Sequence, residues 1–76
     1  SAQRVFVKIG AALETPYSLE QLKTLLQSHP GPLKVVLFYE RTKQVIELTG
    51  PYTVKPSPEL FGQIESIMGK DCVKVK

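Results

Sequence analysis

The stretch LKVVLFYE, Leu33 to Glu40, decides the fold of this chain. It has two leucines, two valines, a phenylalanine and a tyrosine in eight residues. Side chains of these types favour strands, and the flanking His29-Pro30-Gly31-Pro32 and Arg41-Thr42-Lys43 are typical of strand boundaries. Because both alternating sets of side chains are apolar at its centre, the stretch predicts a strand in the middle of the packing.

The residues before this strand predict one strand and one helix. Arg4 to Ile9 alternates polar and apolar side chains, which indicates a strand with one buried face. Ser18 and Gln21 have the spacing of a capping box at the start of a leucine-rich helix. That helix should end near His29, because the residue before a proline is pushed out of the helical region.

The residues after it predict two more strands and a second helix. Gln44 to Leu48 should return antiparallel through a tight hairpin. Tyr52 to Lys55 fits either a bulged continuation or a short separate strand. Ser57-Pro58-Glu59 is a typical helix start, Gly69 ends that helix, and Cys72 to Lys76 alternates as a final strand.

Two glycine positions need an explanation of their own. Gly62 lies inside the second predicted helix and costs about 1 kcal/mol relative to alanine. A close approach between two backbones would explain its presence. Pro30-Gly31-Pro32 is interpreted as a rigid turn.

The element order is β-α-β-β-α-β, which predicts an α+β fold. This split pattern usually gives a four-stranded antiparallel sheet with two helices on one face, a ferredoxin-like arrangement. In that arrangement the first and third strands are central. Leu33 to Glu40 then moves from the expected centre to an edge, where it pairs only with Gln44 to Leu48.

The strand alternation divides the side chains between two faces. We expect the helices to cover an apolar set made of Val5, Val7, Ile9, Leu33, Val35, Leu37, Ile46, Leu48, Val73 and Val75. The opposite face is then partly apolar and mostly basic at its charged positions, and consists of Arg4, Phe6, Lys8, Lys34, Val36, Phe38, Glu40, Val45, Glu47, Lys74 and Lys76.

Length and composition bound the class of protein. The 76 residues predict a single domain over residues 1–76, with a hydrophobic fraction of 42% that is ordinary for a globular protein. No apolar run approaches the about 20 residues of a membrane span. The start at Ser1-Ala2 without methionine indicates two residues introduced for expression on a piece of a longer chain. The single cysteine, Cys72, fits a reducing, cytoplasmic setting.

The titratable residues predict neither an active site nor a metal site. His29 is the only histidine, has no partner signalled nearby, and is assigned a structural or capping role. Cys72 lacks a histidine partner and is expected to be a packed, inert thiol. The carboxylates show no clustered metal-ligand spacing, so we predict no cofactor.

The face opposite the helices is the candidate binding surface. Contiguous exposed apolar surface usually indicates a partner, and the candidate protein-binding residues are Phe6, Val36, Phe38 and Val45. A net charge of +3 is a mild basic bias. The candidate nucleic-acid-binding residues are Arg4, Lys8, Lys34, Lys74 and Lys76.

Two further alternatives stay open. Val5 to Gly10 faintly resembles the first-strand signature of RNA-recognition motif domains, but Gln44 to Leu48 lacks the aromatic residues such a domain needs. A regulatory small-ligand domain with the same element order, dimerising through an edge strand, is the other alternative.

As a whole, the chain resembles the extreme C-terminal segment of bacterial DNA polymerase III alpha subunits of the DnaE type. The resemblance extends from about Gln3 to Lys76. Its most specific parts are the junction of the first helix with His29-Pro30-Gly31 and the run YTVKPSPEL, Tyr52 to Leu60.

This resemblance implies a parent that is a DNA-directed DNA polymerase, with its catalytic carboxylates far upstream. It implies that the segment itself is a non-catalytic interaction module in DNA replication. The implied partners are the clamp-loader tau subunit or another replisome protein, and the upstream domains of the polymerase. Weak DNA contact is a further possibility, and no membrane is implied.

Overall fold

The computed structural model describes residues 2–76, which form four strands and two α-helices. A short 3₁₀ helix, Ala11–Leu13, follows the first strand. In chain order the elements are β1 (Arg4–Ile9), α1 (Pro16–Gln27), β2 (Pro30–Tyr39), β3 (Gln44–Glu47), α2 (Pro58–Met68) and β4 (Val73–Val75). The α+β class and the β-α-β-β-α-β order predicted from the sequence are confirmed.

The sheet is mixed rather than fully antiparallel, and its strand order is β3-β2-β1-β4. β1 pairs parallel with β2 in a register that runs from Arg4 opposite Lys34 to Ile9 opposite Tyr39. β3 pairs antiparallel with β2, and β4 pairs antiparallel with β1. The ferredoxin-like expectation, with the third strand between the first two, was therefore wrong, and β2 is central as its composition first predicted.

The short, polar-ended β3 suits an edge position in this order. β3 has only four residues, and all four are exposed. A central strand pairs on both sides and is usually buried. An edge strand pairs on one side only, so it tolerates exposed polar residues such as Gln44 and Glu47 at its two ends. The hairpin turn, where the Lys43 N–H donates to the Tyr39 carbonyl at 2.7 Å, allows β3 to lie on the far side of β2.

The two helices pack against one face of the sheet. Val5, Val7 and Ile9 of β1 are fully buried there, as are Leu22 and Leu26 of α1. The remaining buried members of this core are Val35, Leu37, Val54, Leu60, Ile64, Met68 and Cys72. Ile46 departs from the prediction, because it lies on the helix side at the sheet edge and remains 42% exposed.

Both helix starts are capped by side chains. In α1 the Thr15 hydroxyl accepts a hydrogen bond from the Ser18 N–H at 3.1 Å, with Pro16 in the first turn. The helix thus begins nearly one turn before the predicted Ser18 capping box. In α2 the Ser57 hydroxyl accepts from the Leu60 N–H at 3.0 Å, and Gly69, with a φ of 106°, ends the helix as predicted.

The proline-flanked segment that was interpreted as a turn is the start of β2. The Gly31 N–H donates to the Thr53 carbonyl, and the Lys55 N–H donates to the His29 carbonyl. Alternate backbone amides of a strand point to opposite sides. The nitrogens of Pro30 and Pro32 therefore point away from residues 53–55, toward the β1 side, where pairing with β1 begins only at Lys34. The N–H groups that these two prolines lack would therefore have had no strand partner, and no hydrogen bond of the sheet is lost.

This pairing also settles the position of residues 52–55. They lie alongside the first residues of β2 as isolated bridges rather than as a strand of their own. Val54, at their centre, is fully buried. Val54 thereby anchors the loop between β3 and α2 in the core.

Within residues 2–76, neither helix has the length and apolar character required to cross a membrane.

The close backbone approach lies at Gly31 and not at Gly62. A Cβ added to Gly31 would meet the Lys55 backbone nitrogen at 2.3 Å, whereas a Cβ on Gly62 meets nothing within 4 Å. Real Cβ atoms do not tolerate the first distance, so the backbone would have to move.

We therefore predict opposite effects of two glycine-to-alanine changes. Gly31→Ala should lower the free energy of unfolding by about 2 kcal/mol or more, because it separates residues 53–55 from β2. Gly62→Ala, the matched control, should raise it by about 1 kcal/mol through helix propensity. Urea unfolding of both variants measures these changes, and equal effects of the two changes would contradict this account of Gly31.

Candidate functional site

The sheet face opposite the helices, called the outer face below, brings the predicted binding residues together. Phe6 of β1 lies opposite Val36 of β2 and opposite Lys74 of β4. Phe38 of β2 lies opposite Lys8 of β1 and opposite Val45 of β3. Because each of these side chains points away from the helices, apolar and basic groups share the outer face.

The apolar candidates differ in their accessibility. Val45 is 64% exposed, and Phe6 and Phe38 are half-buried. Val36 is only 4% exposed although it lies on the outer face. The surface that a partner can reach therefore consists of Phe6, Phe38 and Val45, with Val36 beneath it.

An ion-pair network crosses one end of the outer face. The Nε of Arg4 on β1 donates to the Glu47 carboxylate on β3 at 2.6 Å, and the Lys34 ammonium lies 3.7 Å from the same carboxylate. Since β2 lies between β1 and β3, these side chains reach across it. The hydrogen bond from Arg4 lowers the pKa of Glu47, with a smaller contribution from the charge of Lys34.

The other basic candidates fall into two groups. The Lys8 ammonium lies 3.8 Å from the Glu40 carboxylate. Lys74 and Lys76 make no ion pair with any residue in the described part of the chain. The ammonium of Lys76 instead lies over the ring of Phe6, 5.2 Å from its centroid, which is a cation–π contact.

A cavity of about 340 Å³ opens on the outer face between the aromatic rings and the unpaired lysines. Its lining combines an apolar floor with a largely basic rim, and consists of Phe6, Val7, Lys8, Phe38, Val45, Asp71, Cys72, Lys74 and Lys76. Sequence reasoning placed most of these residues on the outer face, but it assigned Val7 to the helix side and did not include Asp71 or Cys72. Asp71 has a φ of 61°, a conformation that alternation patterns do not signal.

Cys72 belongs to the buried core and is 4% exposed, and it also contributes to the lining of this cavity. Burial raises the pKa of its thiol, and the charge of Glu65 raises it further. The reactive thiolate is therefore disfavoured at neutral pH.

His29 lies away from the outer face. Its Nε2 is 3.0 Å from the Oε1 of Gln63, so it links the end of α1 to α2. Among residues 2–76, no three histidine, cysteine, aspartate or glutamate side chains are grouped closely enough to hold a metal ion.

Two exposed apolar side chains were not predicted. Tyr17, in the first turn of α1, is 73% exposed. Ile46 is exposed because β3 ends the sheet. Neither exposure could be inferred from alternation alone, since it depends on strand order and on where α1 begins.

Comparison with known proteins identifies relatives of this chain, although no family model matches it. The chain is 36% identical over 74 residues to the DNA polymerase III subunit alpha of Halalkalibacterium halodurans, an alignment that covers 96% of the chain. It is 28% identical over 75 residues, 99% of its length, to the DNA polymerase III subunit alpha of Bacillus subtilis.

The chain spans 7% of the length of each of these two relatives. The similarity thus concerns one short segment of a much longer protein. The resemblance predicted from the sequence is confirmed, and this chain is a homologue of a segment of bacterial DNA polymerase III alpha subunits.

Proposed function

We propose that this chain is a non-catalytic docking module of a DNA polymerase III alpha subunit and acts in DNA replication. The module lies at the C-terminus of that subunit, in the cytoplasm, and the parent is a DNA-directed DNA polymerase. Its outer face binds either the clamp-loader tau subunit, another replisome protein, or the upstream domains of the polymerase itself.

The observation that best supports this proposal is the apolar cluster on the uncovered side of the sheet. Phe6, Phe38 and Val45 lie close together on the sheet face opposite the two helices of residues 2–76. Aromatic residues are enriched at the centres of protein interfaces, where they contribute most of the binding energy. A segment that is 7% of its relatives' length also has a large remaining chain against which it can dock.

The absence of a catalytic role is part of the proposal. The two residue types best suited to acid–base or nucleophilic chemistry, His29 and Cys72, do not meet. His29 is hydrogen-bonded to Gln63 of α2, and Cys72 is buried in the core. A nucleophilic cysteine requires a nearby base or a lowered pKa, and burial here shifts the pKa of the thiol the other way.

The docking proposal predicts which substitutions weaken binding. Val45→Asp should reduce the affinity for the tau subunit, or for an alpha subunit lacking this segment, by about tenfold or more. The double change Phe6→Asp and Phe38→Asp should abolish measurable binding. Titration calorimetry with the purified partners measures both effects.

Tyr17→Asp is the matched control, because it removes an exposed apolar side chain from the helix side. Its affinity should equal that of the unchanged chain. Circular dichroism establishes that each variant is folded. Unchanged affinity of the folded outer-face variants for both partners would overturn the proposal.

A second candidate function is single-stranded nucleic-acid binding, favoured by the two lysines that lack an ion pair. Lys74 and Lys76 are available to contact phosphates, whereas Arg4, Lys8 and Lys34 each lie near a carboxylate. Two phosphate contacts should give a slope of about −1.4 in the dependence of log affinity on log salt concentration. Fluorescence anisotropy with a thymidine oligonucleotide measures this slope, and no binding at low salt eliminates the candidate.

The buried thiol gives a prediction that is independent of partners. Because its pKa is raised, Cys72 should react with iodoacetamide at pH 7.5 at least about tenfold more slowly than free cysteine. The rate should approach that of free cysteine when the chain is unfolded in urea. Fast alkylation of the folded chain at neutral pH would contradict the inert role assigned to Cys72.

A further inference from the structure

The cavity on the outer face has a size and a lining that fit a particular class of partner. Its volume of about 340 Å³ is at the small end of the range for binding pockets, and suits one or two side chains. Phe6 and Phe38 lie on neighbouring central strands, two register positions apart, and Val45 and Cys72 also line the cavity. An inserted apolar side chain would therefore contact aromatic and apolar groups.

The rim of the cavity is predominantly positive. Lys8, Lys74 and Lys76 line it, and Asp71 is the single carboxylate among the lining residues. Lys8 is partly neutralised by Glu40, which is 3.8 Å away, but Lys74 and Lys76 have no such neighbour among residues 2–76. The charge of the rim is complementary to an acidic ligand.

The side chain of Lys76 lies over the part of the cavity that an inserted apolar side chain would fill. Its ammonium lies over the ring of Phe6 at 5.2 Å. An exposed cation–π contact is weak, so it can be exchanged for an ion pair with an incoming carboxylate. The same movement uncovers the ring of Phe6 for an apolar side chain.

We propose that this cavity binds an acidic segment of a partner protein, which inserts one apolar side chain between Phe6 and Phe38 and places carboxylates against Lys8, Lys74 and Lys76. This inference rests on the proposed docking function and specifies the chemistry of the partner. The partner segment binds over this cavity, whereas Arg4, Lys34 and Glu47 are not among the residues that line it.

The arrangement of carboxylates favours a protein segment over a nucleic acid. A phosphate chain that runs across the outer face would pass Glu40, just after β2, and Glu47 on β3, and both carboxylates would repel it. The positive charges of Arg4 and Lys34 are already directed to Glu47. A short segment anchored in the cavity avoids Glu47 altogether.

The experiment is a titration of the ¹⁵N-labelled chain followed by NMR amide shifts. The probe is the acetylated and amidated hexapeptide Asp-Glu-Leu-Phe-Asp-Glu. The comparison ligands are Lys-Lys-Leu-Phe-Lys-Lys, Asp-Glu-Ser-Ser-Asp-Glu and a thymidine hexanucleotide. We expect saturable shifts at the cavity residues with the first peptide alone, at a Kd of about 1 mM or tighter, weakened by added salt.

Two charge reversals provide the matched comparison. Lys74→Glu should weaken binding of the acidic apolar peptide by about fivefold or more, because it changes the rim charge by two. Lys55→Glu makes the same charge change at an exposed site outside the cavity lining and should alter the affinity by less than about twofold. Lys74→Gln, which removes the charge without reversing it, should have an intermediate effect.

Three outcomes overturn this inference. They are the absence of saturable shifts at millimolar peptide, equal binding of the serine-containing peptide, and tighter binding of the basic peptide or the oligonucleotide at the same residues. The docking proposal has a separate test. The Phe6 and Phe38 variants could lose affinity for the natural partner while Lys74→Glu keeps its full affinity. That result would support the docking proposal and contradict the proposal that the bound segment is acidic.

Discussion

The parallel pairing of β1 with β2 is the interaction on which the rest of the structure depends. It places six residues of β1 beside six of β2 at the centre of the sheet, and so leaves β3 and β4 as the edges. One face of this central pair presents Val5, Val7 and Ile9 to the helices. The other face presents Phe6 and Phe38, so the same pairing creates both the core and the candidate binding surface.

If β3 lay between β1 and β2, as in the ferredoxin-like order, the outer face would be different. Phe6 and Phe38 would be separated by a strand containing Glu47, and a carboxylate would stand among the aromatic rings. In the observed order Glu47 lies at the edge, where it accepts from Arg4 across β2. Strand order thus determines the separation between the ion-pair network at one end and the apolar cavity at the other.

Most of the local structure was predictable because it depends on neighbouring residues. The alternation in β1, the Ser57-Pro58 start of α2 and the glycine end at Gly69 each follow from a short pattern. Strand order was not predictable in this way, because a hairpin allows β3 to lie on either side of β2. The double-sided apolarity of Leu33 to Glu40 favoured the centre, and the usual split pattern led away from it.

The candidate site likewise has a part that could be predicted from local sequence patterns and a part that could not. Alternation assigned Phe6, Phe38 and the basic residues to one face, as the structure has them, but it could not show that Val36 is buried or that Glu47 binds Arg4. It also missed the contribution of Asp71 and Cys72, which depends on how β4 begins. The close approach at Gly31 was missed because a proline on either side resembles a turn.

The central claim is that the outer face is covered by protein when the segment is part of its assembly. Hydroxyl-radical footprinting measures this directly, through oxidation rates of Phe6, Phe38 and Tyr17 in the isolated chain and in the alpha subunit bound to the clamp loader. We expect oxidation of Phe6 and Phe38 to fall by at least about fivefold in the assembly while Tyr17 is unchanged. Equal oxidation of both phenylalanines in the two states would contradict the claim.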